Sequence, residues 1–305
     1  MDRKRWRARA LLAACLALLP ACDRSGAGDE PGARVEPTPG TGGCRIGGPS
    51  VELPLELSET SGAAIGAGDV VWTHGDSGGD PILYGVTVQG RMTARVRLQG
   101  AQNRDWEDVA VGPCPGGRCV YLADIGNNRG GGQELSLYTF PEPPLGESTV
   151  RAAEYRAEFP KGAGDDAEAL FVLPNGEVYL VTKGNRRQVE LYRWPTPLRK
   201  GPVELVRVAT LAPEPEQPGD RVTGAGASAD GRWVALRTYG TLAVYRTADL
   251  LRSGDPALSM DLAPLGEPQG EAVALGPGGA VVLTSEGGEH MTPGRLTVLS
   301  CSLPD

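Results

Sequence analysis

The sequence predicts an all-β protein, a five-bladed β-propeller built from four-stranded antiparallel blades. The composition favours many turns and short strands, since the 305 residues include 44 Gly and 26 Pro and only 5% aromatic residues. Five stretches of the chain repeat one pattern, in which a short apolar strand, a turn containing glycine and a second apolar strand follow one another. The repeats start 46, 61, 55 and 48 residues apart, which is the spacing of propeller blades.

Each repeat supplies the two inner strands of a blade, and the alternating segments after it supply the outer strands. The five repeats span residues 61–76, 107–126, 168–184, 223–240 and 271–287. Only one strand follows the last repeat, so the N-terminal segment VELPLEL, residues 51–57, is predicted to complete that blade and close the ring. Closure removes free sheet edges. A ring of six blades is the alternative, with the extra blade in the longest spacing, 107–168.

The N-terminal segment is typical of a lipoprotein signal peptide. Five basic residues precede the apolar run ALLAACLALLPA, which is too short to span a bilayer. The run ends in Leu-Pro-Ala-Cys, which resembles the lipobox of bacterial lipoproteins, a family in which the cysteine is lipidated; here it is Cys22. We therefore expect a signal peptide over residues 1–21, a flexible tether over 22–43 and a propeller domain over 44–305. An ordinary signal peptide followed by a chance cysteine is the alternative.

The charge balance argues against nucleic acid and anionic lipid surfaces as partners. Residues 1–21 carry five basic and one acidic side chain, so their removal reduces the 30 basic and 38 acidic residues to 25 and 37, a net charge of −12. Such a surface is compatible with cation binding.

Four cysteines remain after the signal and Cys22, an even number that indicates two disulfides in an oxidising compartment. Cys114 and Cys119 flank a tight Pro-Gly-Gly-Arg turn, so they can face each other in a hairpin. Cys44 then pairs with Cys301 and joins the two ends of the domain. A metal site is the weaker alternative, because no histidine lies near these cysteines in the sequence.

Alignment of the repeats predicts what lines the propeller axis. The first aligned position carries a side-chain oxygen in every blade and is occupied by Ser61, Glu107, Glu168, Thr223 and Glu271. Two residues earlier, on the same strand face, stand Glu59, Asp105, Asp166, Arg221 and Gln269. Converging carboxylates repel one another, so either their pKa values rise or a cation lies between them, and the all-oxygen donor set favours calcium. Another cation, or acids that pair with arginine and cap strand-end amides, are the alternatives.

An axial ring of this kind resembles that of the calcium-activated nucleotidases, the five-bladed apyrases. In that family the ring holds a central calcium ion that is needed for hydrolysis of nucleoside diphosphates. The resemblance covers the repeat architecture and the five ring positions, with Thr223 in place of a serine, and it implies a calcium site. The nucleotide-contacting residues of that family have no match in this chain. The segments DWEDVAV and DAEAL are also similar to secreted bacterial propeller proteins, including phytase-like ones.

The second strands are expected to end at the same mouth of the channel. Their aligned last residues are His74, Asp124, Thr182, Thr238 and Ser285, and Asp76, Lys183, Arg237 and Glu286 lie beside them. Lys183 and Arg237 next to a cation could hold a phosphate or a carboxylate. The alternative is a solvated rim with local ion pairs.

The run GDSGG around Ser77 resembles the nucleophile segment of trypsin-like proteases, but the rest of the chain does not support a catalytic serine. The sequence continues with Asp-Pro, and the two histidines are His74, on the same short segment, and His290. A triad needs a base delivered from a distant loop and oriented by an acid. Four repeats end in glycine at the position of Asp76, so the run is interpreted as the exit turn of the blade.

These observations predict a lipid-anchored, extracytoplasmic propeller with axial calcium that acts as a ligand-binding or scaffold module. The alternative function is a calcium-dependent phosphohydrolase of the nucleotidase or phytase type. No nucleophile or general base is identifiable, so catalysis stays open. We expect a monomer, in the periplasm or at the cell surface, with the bilayer and an unknown small molecule or protein as its partners.

Overall fold

The computed structural model describes residues 43–127, 134–163, 166–288 and 292–304. The predicted signal peptide, Cys22, residues 22–42 of the predicted tether and His290 lie outside the described residues. Within these ranges no helix has the length and apolar character needed to cross a bilayer.

Five sheets follow one another along the chain as the blades of a propeller, which confirms the predicted fold class. β1 (Gly43–Ile46) and β2 (Val51–Glu52) begin the described chain and belong to the last blade. Blade 1 contains β3 (Thr60–Ile65), β4 (Val71–Gly75), β5 (Ile82–Val86) and β6 (Met92–Gln99). Blade 2 and its outer connection contain β7 (Trp106–Cys114), β8 (Gly117–Asp124), β9 (Leu135–Pro141), β10 (Gly146–Arg151) and β11 (Ala153–Glu158).

Blade 3 and its outer connection contain β12 (Ala167–Val172), β13 (Val178–Thr182), β14 (Val189–Trp194), β15 (Pro202–Glu204) and β16 (Val206–Ala212). Blade 4 contains β17 (Val222–Ala227), β18 (Trp233–Thr238), β19 (Thr241–Arg246) and β20 (Leu258–Asp261). Blade 5 contains β21 (Gln269–Leu275), β22 (Ala280–Glu286) and β23 (Arg295–Ser302). One short α-helix, α1, spans Thr247–Leu250, and 3-10 turns span Leu55–Leu57, Ala67–Asp69, Pro218–Asp220, Ala263–Leu265 and Pro277–Gly279.

The hydrophobic core lies between the blades. The described residues form five apolar clusters, and each joins two neighbouring blades, with blade 5 packed against blade 1. Trp72 of blade 1 and Trp106 of blade 2, for example, are fully buried in one cluster. The alternating apolar residues of the strands are thus buried on both faces of each sheet, and the innermost strands β3, β7, β12, β17 and β21 pack around the axis.

The ring closes through the N-terminal strands, but one element differs from the sequence prediction. β1 pairs antiparallel with β23, with Cys44 directly opposite Cys301, and β2 pairs with the start of β23. Residues 51–57 therefore supply only the two-residue strand β2, and Leu55–Leu57 forms a 3-10 turn after Pro54. Both predicted disulfides, Cys44–Cys301 and Cys114–Cys119, are present.

Two short strands connect consecutive blades at their outer edges, a feature that the repeat pattern did not predict. After β9 the chain leaves blade 2, pairs as β10 in parallel with β6 of blade 1, and returns as β11. β15 does the same between blade 3 and β11 of blade 2. These strands cover the outer edges of blades 1 and 2, which would otherwise present unpaired backbone groups.

Candidate functional site

β-Bulges turn the five ring positions toward the axis. In the innermost strand of every blade the pairing with the second strand skips the ring residue, and in blades 1 and 5 it also skips the next one. A bulge leaves its extra residue outside the ladder and bends the strand, so it re-aims a side chain. The bulged residues are Ser61, Glu107, Glu168, Thr223 and Glu271, which are 2–5% exposed. We call the end of the axis that carries these five residues, together with Asp76, Asp105, Lys183 and Glu286, the acidic mouth.

Asp76, Asp105 and Glu107 form an acidic cluster at the acidic mouth. One carboxylate oxygen of each lies within 4.8 Å of the other two. Asp76 follows β4, whereas Asp105 and Glu107 lie at the start of β7, so two blades contribute. The Oε1 atom of Glu107 is buried and has no hydrogen-bond partner. A buried carboxylate oxygen without a donor is costly unless positive charge compensates it, and carboxylate oxygens are the ligands that calcium prefers.

Gly126 shows where two of these carboxylates point. A Cβ atom at residue 126 would lie 1.9 Å from Oε1 of Glu107 and 2.7 Å from Oδ2 of Asp105. The amide of Gly126 also donates to the backbone oxygen of Asp105 at 3.2 Å. The chain leaving β8 therefore packs directly against both acids, and only glycine leaves room for them.

Asp124 holds Asp105 in place instead of facing the acidic mouth. Its Oδ1 accepts the amide of Asp105 at 3.0 Å, and its Oδ2 pairs with Nε of Arg104 at 2.8 Å. Asp124 is fully buried. The predicted ligand contact is thus a support for a neighbouring acid.

Lys183 supplies a positive charge inside the acidic mouth. It directly follows β13, and its Nζ lies 2.8 Å from Oε1 of Glu168. The backbone oxygen of Asp166 accepts the amide of Lys183 at 3.0 Å, and the carboxylate of Asp166 accepts the amide of Asn127 at 3.0 Å. The ring carboxylate of blade 3 is therefore already paired with a cation, in contrast to Glu107.

The other ring residues differ in how their oxygens are used. Glu271 accepts a hydrogen bond from Nε2 of Gln269 at 2.7 Å. Ser61 donates from Oγ to the backbone oxygen of Glu107 at 2.8 Å. The Oγ1 atom of Thr223 is buried and has no hydrogen-bond partner. Among the ring residues, Glu107 and Thr223 thus carry a buried oxygen without a hydrogen-bond partner.

Burial and mutual repulsion raise the pKa values of the ring carboxylates. Burial raises the pKa of Glu107 well above its usual value, and the charge of Glu168 adds to the effect. The pKa of Glu271 is raised in the same way, by burial and then by Glu168. Burial raises the pKa of Glu168 to about 8 despite the opposing charge of Lys183. The charge of Glu168 in blade 3 thus raises the pKa values of the ring acids in blades 2 and 5.

Glu286 adds a further acid to the acidic mouth at the end of β22. Burial raises its pKa to about 7, and repulsion by Asp76 and Glu59 contributes while Lys183 opposes. Acidic groups therefore dominate this end of the axis, and because a bound cation would stabilise their ionised forms, the site favours a cationic ligand over an anionic one.

Two predicted contacts, His74 and Arg237, lie inside the fold. His74 is fully buried, its Nδ1 lies 2.9 Å from the backbone oxygen of Gly75, and its ring meets Trp106 edge-on at 5.6 Å. Burial lowers the pKa of His74 to about 4, so the ring is neutral at pH 7. Arg237 is also fully buried and pairs with Glu267. Successive side chains of a strand point to opposite faces of the sheet, and both His74 and Arg237 point into the packing between blades.

Asp108 is a buried acid on the axis that the sequence analysis missed. Its Oδ1 accepts the amide of Val109 at 2.8 Å, and its Oδ2 accepts the amides of Leu170 at 2.8 Å and Ala225 at 3.1 Å. The amide of Ala63 bonds to it as well. Burial raises the pKa of Asp108 well above its usual value, against the effect of these amides. One carboxylate thus joins the innermost strands of blades 1 to 4.

The bulge explains why Asp108 was missed. Period-two alternation places residues 107 and 108 on opposite strand faces. Because Glu107 is skipped in the ladder, Glu107 and Asp108 both reach the centre of the ring. The signal available in the sequence was the pair of consecutive acids, whereas the equivalent positions of the other blades carry glycine or alanine.

Ser77 lies in the turn between β4 and β5, as the repeat alignment predicted. Gly78, the next residue, has a φ of 79°, the left-handed conformation that favours glycine in turns. His74 is fully buried on the preceding strand, with its Nδ1 beside the backbone oxygen of Gly75.

The opposite end of the axis is a wide funnel of about 1040 Å³. The ends of the innermost strands and the turns after them line it, largely with alanine, glycine and proline. Two acidic and two basic residues, Asp69, Asp230, Arg118 and Arg232, also line the funnel, whereas the clustered acids lie at the acidic mouth.

Comparison with known proteins supports the fold and leaves the activity open. No protein-family model matches the chain, and no curated protein matches it in sequence. Among solved structures, the PQQ-bound aldose sugar dehydrogenase of Streptomyces coelicolor is similar over 87% of this chain and 99% of its own, with a TM-score of 0.54 and 11% identity.

Two further solved structures are more distant. A putative gluconolactonase matches 88% of this chain and 95% of its own at 14% identity, with a TM-score of 0.45. A streptogramin B lyase matches 83% of this chain and 68% of its own at 12% identity, with a TM-score of 0.39. At these identities the likeness concerns the fold alone.

Proposed function

We propose that the protein is an extracytoplasmic binding module whose acidic mouth holds a calcium ion. The observation that carries the proposal is the cluster of Asp76, Asp105 and Glu107, with one oxygen of each within 4.8 Å of the others and Oε1 of Glu107 buried without a partner. Three carboxylates supply oxygens only, and calcium completes its shell of six to eight ligands with water or with a ligand's oxygens. Asp76, Asp105 and Glu107 would therefore hold the ion, and the open side of the mouth would receive the ligand.

The proposed site is displaced from the symmetric ring that the sequence predicted. Glu107 belongs to both, but its partners in the cluster are Asp76 and Asp105 rather than Ser61 and Thr223. Glu168 is paired with Lys183, and Glu271 accepts from Gln269. The described side chains therefore fit a calcium ion beside blades 1 and 2 better than one held by the whole ring.

A binding function is favoured over phosphoryl transfer by the state of the two basic residues. Lys183 is bonded to Glu168 in the ion-free protein, and Arg237 is buried against Glu267, so neither is a free cation for a phosphate before an ion binds. The remaining groups at the acidic mouth are acidic and would repel a phosphate unless bound metal reversed the local charge.

Export and membrane anchoring are part of the proposal. Two disulfides are typical of proteins in oxidising compartments. The lipobox-like segment before Cys22 supports attachment through a lipid on that cysteine, and mass spectrometry of the membrane-extracted protein would detect the lipid.

Isothermal titration of the purified domain, produced without the signal segment and treated with chelator, tests the site. We expect calcium to bind with a one-to-one stoichiometry and to raise the melting temperature, because binding to the folded state alone stabilises it. Glu107→Gln removes the central ligand charge and should weaken calcium binding at least tenfold. The control Glu147→Gln makes the same change on the exposed outer strand β10 and should leave it unchanged.

The absence of calcium binding in the unsubstituted protein would contradict the metal site. Calcium-dependent phosphate release from nucleoside diphosphates or phytate, measured on the same preparation, would contradict the choice of a binding module over a phosphohydrolase.

A further inference from the structure

Lys183 pairs with a ring acid that is equivalent in its blade to the proposed calcium ligand Glu107. Glu107 and Glu168 are equivalent ring residues on bulges of neighbouring blades. Oε1 of Glu107 has no partner, whereas Oε1 of Glu168 is 2.8 Å from the ammonium of Lys183. The ring carboxylate thus has an unpartnered oxygen in blade 2, whereas in blade 3 it is paired with an internal cation.

The charge of Lys183 acts on the whole acidic mouth. It lowers the pKa of Glu168 most directly and also that of Glu107, Asp76 and Glu286, although burial and repulsion raise these values overall. One ammonium thus partly neutralises acids from four blades. A divalent ion at the Asp76–Asp105–Glu107 cluster would be repelled by this ammonium and attracted by Glu168 once Lys183 moved away.

Lys183 can move because it lies at the rim. Its side chain is 15% exposed while that of Glu168 is 3% exposed, so the lysine has more access to solvent than its partner. Lysine carries its charge on a flexible four-carbon stem and is strongly hydrated when free. The ion pair can therefore open without rearrangement of β12 or β13.

We propose that Lys183 is a built-in competitor of the metal ion, which limits metal affinity and is displaced when the ion binds, so that Glu168 joins the ligands. The inference rests on the proposed calcium site and adds to it a residue that sets its affinity. Without the ion, Lys183 stabilises the clustered acids; with the ion, that role passes to the metal and the ammonium turns outward.

The variant Lys183→Met tests the competition, because methionine keeps most of the side-chain volume and removes the charge. We expect its dissociation constant for calcium, measured by isothermal titration at fixed ionic strength, to be at least tenfold lower than that of the unsubstituted protein. Its melting temperature in chelator should be lower, because Glu168 is then unpaired. Lys200→Met is the matched control, since this exposed lysine follows β14 at the end away from the acidic mouth, and its dissociation constant should not change.

A double variant tests whether Glu168 is the group released. Adding Glu168→Gln to Lys183→Met should abolish most of the gain in calcium affinity, because the carboxylate that Lys183→Met frees is then missing. If the double variant keeps the full gain, the role of Glu168 as an added ligand is overturned.

The outcomes separate this inference from the proposed function. Calcium binding that is unchanged or weaker in Lys183→Met, with binding intact in the unsubstituted protein, would overturn the competition and leave the calcium site standing. No binding in either protein would overturn both. Binding in Lys183→Met alone would support the competition and contradict a native calcium module.

Discussion

At the scale of single residues, Asp108 and Glu107 are neighbours with opposite roles. Asp108 has both oxygens occupied by backbone amides of blades 1 to 4, so it acts as a structural hydrogen-bond acceptor at the centre of the ring. Glu107 has a buried oxygen without a partner and is available to a ligand. The amides of Val109, Leu170 and Ala225 lie two residues after the bulged ring residues of their strands, so the bulges create both the demand for an internal carboxylate and the site beside it.

The variant Asp108→Asn should lower the free energy of unfolding by about 2–3 kcal/mol, because one acceptor becomes an NH₂ group that faces buried amide donors. Asparagine is isosteric with aspartate, so no cavity contributes to the loss. Urea unfolding in the presence of chelator measures it, and Asp255→Asn, on an exposed loop, should change the value by less than about 0.5 kcal/mol. A loss of similar size in both variants would contradict the central role of Asp108.

Alignment of the repeats identified the positions that are bulged and buried in the innermost strands, but not the hydrogen bonds of these residues. Aligning the repeats found Glu107, Glu168 and Thr223, because a bulge at the same place in every blade preserves their alignment. It did not find Asp108, nor the inward course of Arg237, because strict alternation gives no information on where a ladder skips a residue. The Lys183–Glu168 pair depends on contacts between the end of β13 and the bulge in β12, which appear only in three dimensions.

At the scale of elements, a buried arginine completes the bulge of blade 5. Arg237 of β18 donates from Nη1 to the backbone oxygens of Ala272 at 3.1 Å and Thr284 at 2.9 Å, and it pairs with Glu267. Ala272 is one of the two residues that the ladder between β21 and β22 skips. The guanidinium thus satisfies a carbonyl at a bulge, as Asp108 satisfies amides.

Gly270 leaves the space that the guanidinium fills, since a Cβ atom there would lie 1.7 Å from Nη2 of Arg237. We expect Gly270→Ala to lower the free energy of unfolding by about 3 kcal/mol, because it displaces one partner of a buried ion pair. Gly48→Ala is the control, with no atom within 4 Å of its added Cβ. Denaturant titration of both variants checks this, and equal stabilities would show that Arg237 moves aside without cost.

Elements with local signals were predictable and elements defined by distant partners were not. The inner hairpins, such as β7 and β8, follow from apolar alternation on either side of a glycine turn. β10 and β15 have few apolar residues and gain their strand structure by parallel pairing with the preceding blade. The outer strand of blade 5 was placed at residues 51–57, although β1 at Gly43–Ile46 pairs along more of β23.

At the scale of the whole molecule, closure of the ring joins residues from the two ends of the domain. β1 and β23 pair directly, and the Cys44–Cys301 disulfide links them across 257 residues of sequence. The sequence predicted this link because the cysteines near the two ends were left after the local pair was assigned. All five innermost strands must keep their relative positions for the acids of the acidic mouth to converge, so closure also supports the site.

The two disulfides should therefore differ in their contribution to stability. In the chain-entropy treatment, cross-linking restricts the unfolded chain more when the loop is longer, which gives about 5 kcal/mol for Cys44–Cys301 and about 2 kcal/mol for Cys114–Cys119. The double variants Cys44→Ser/Cys301→Ser and Cys114→Ser/Cys119→Ser are a matched pair, because Cys301 and Cys119 are both buried and their partners are partly buried. Urea unfolding should show the larger loss in the first variant, together with weaker calcium binding if the ring loosens. Equal losses would mean that the pairing of β1 with β23 holds the ring closed without help from the covalent link.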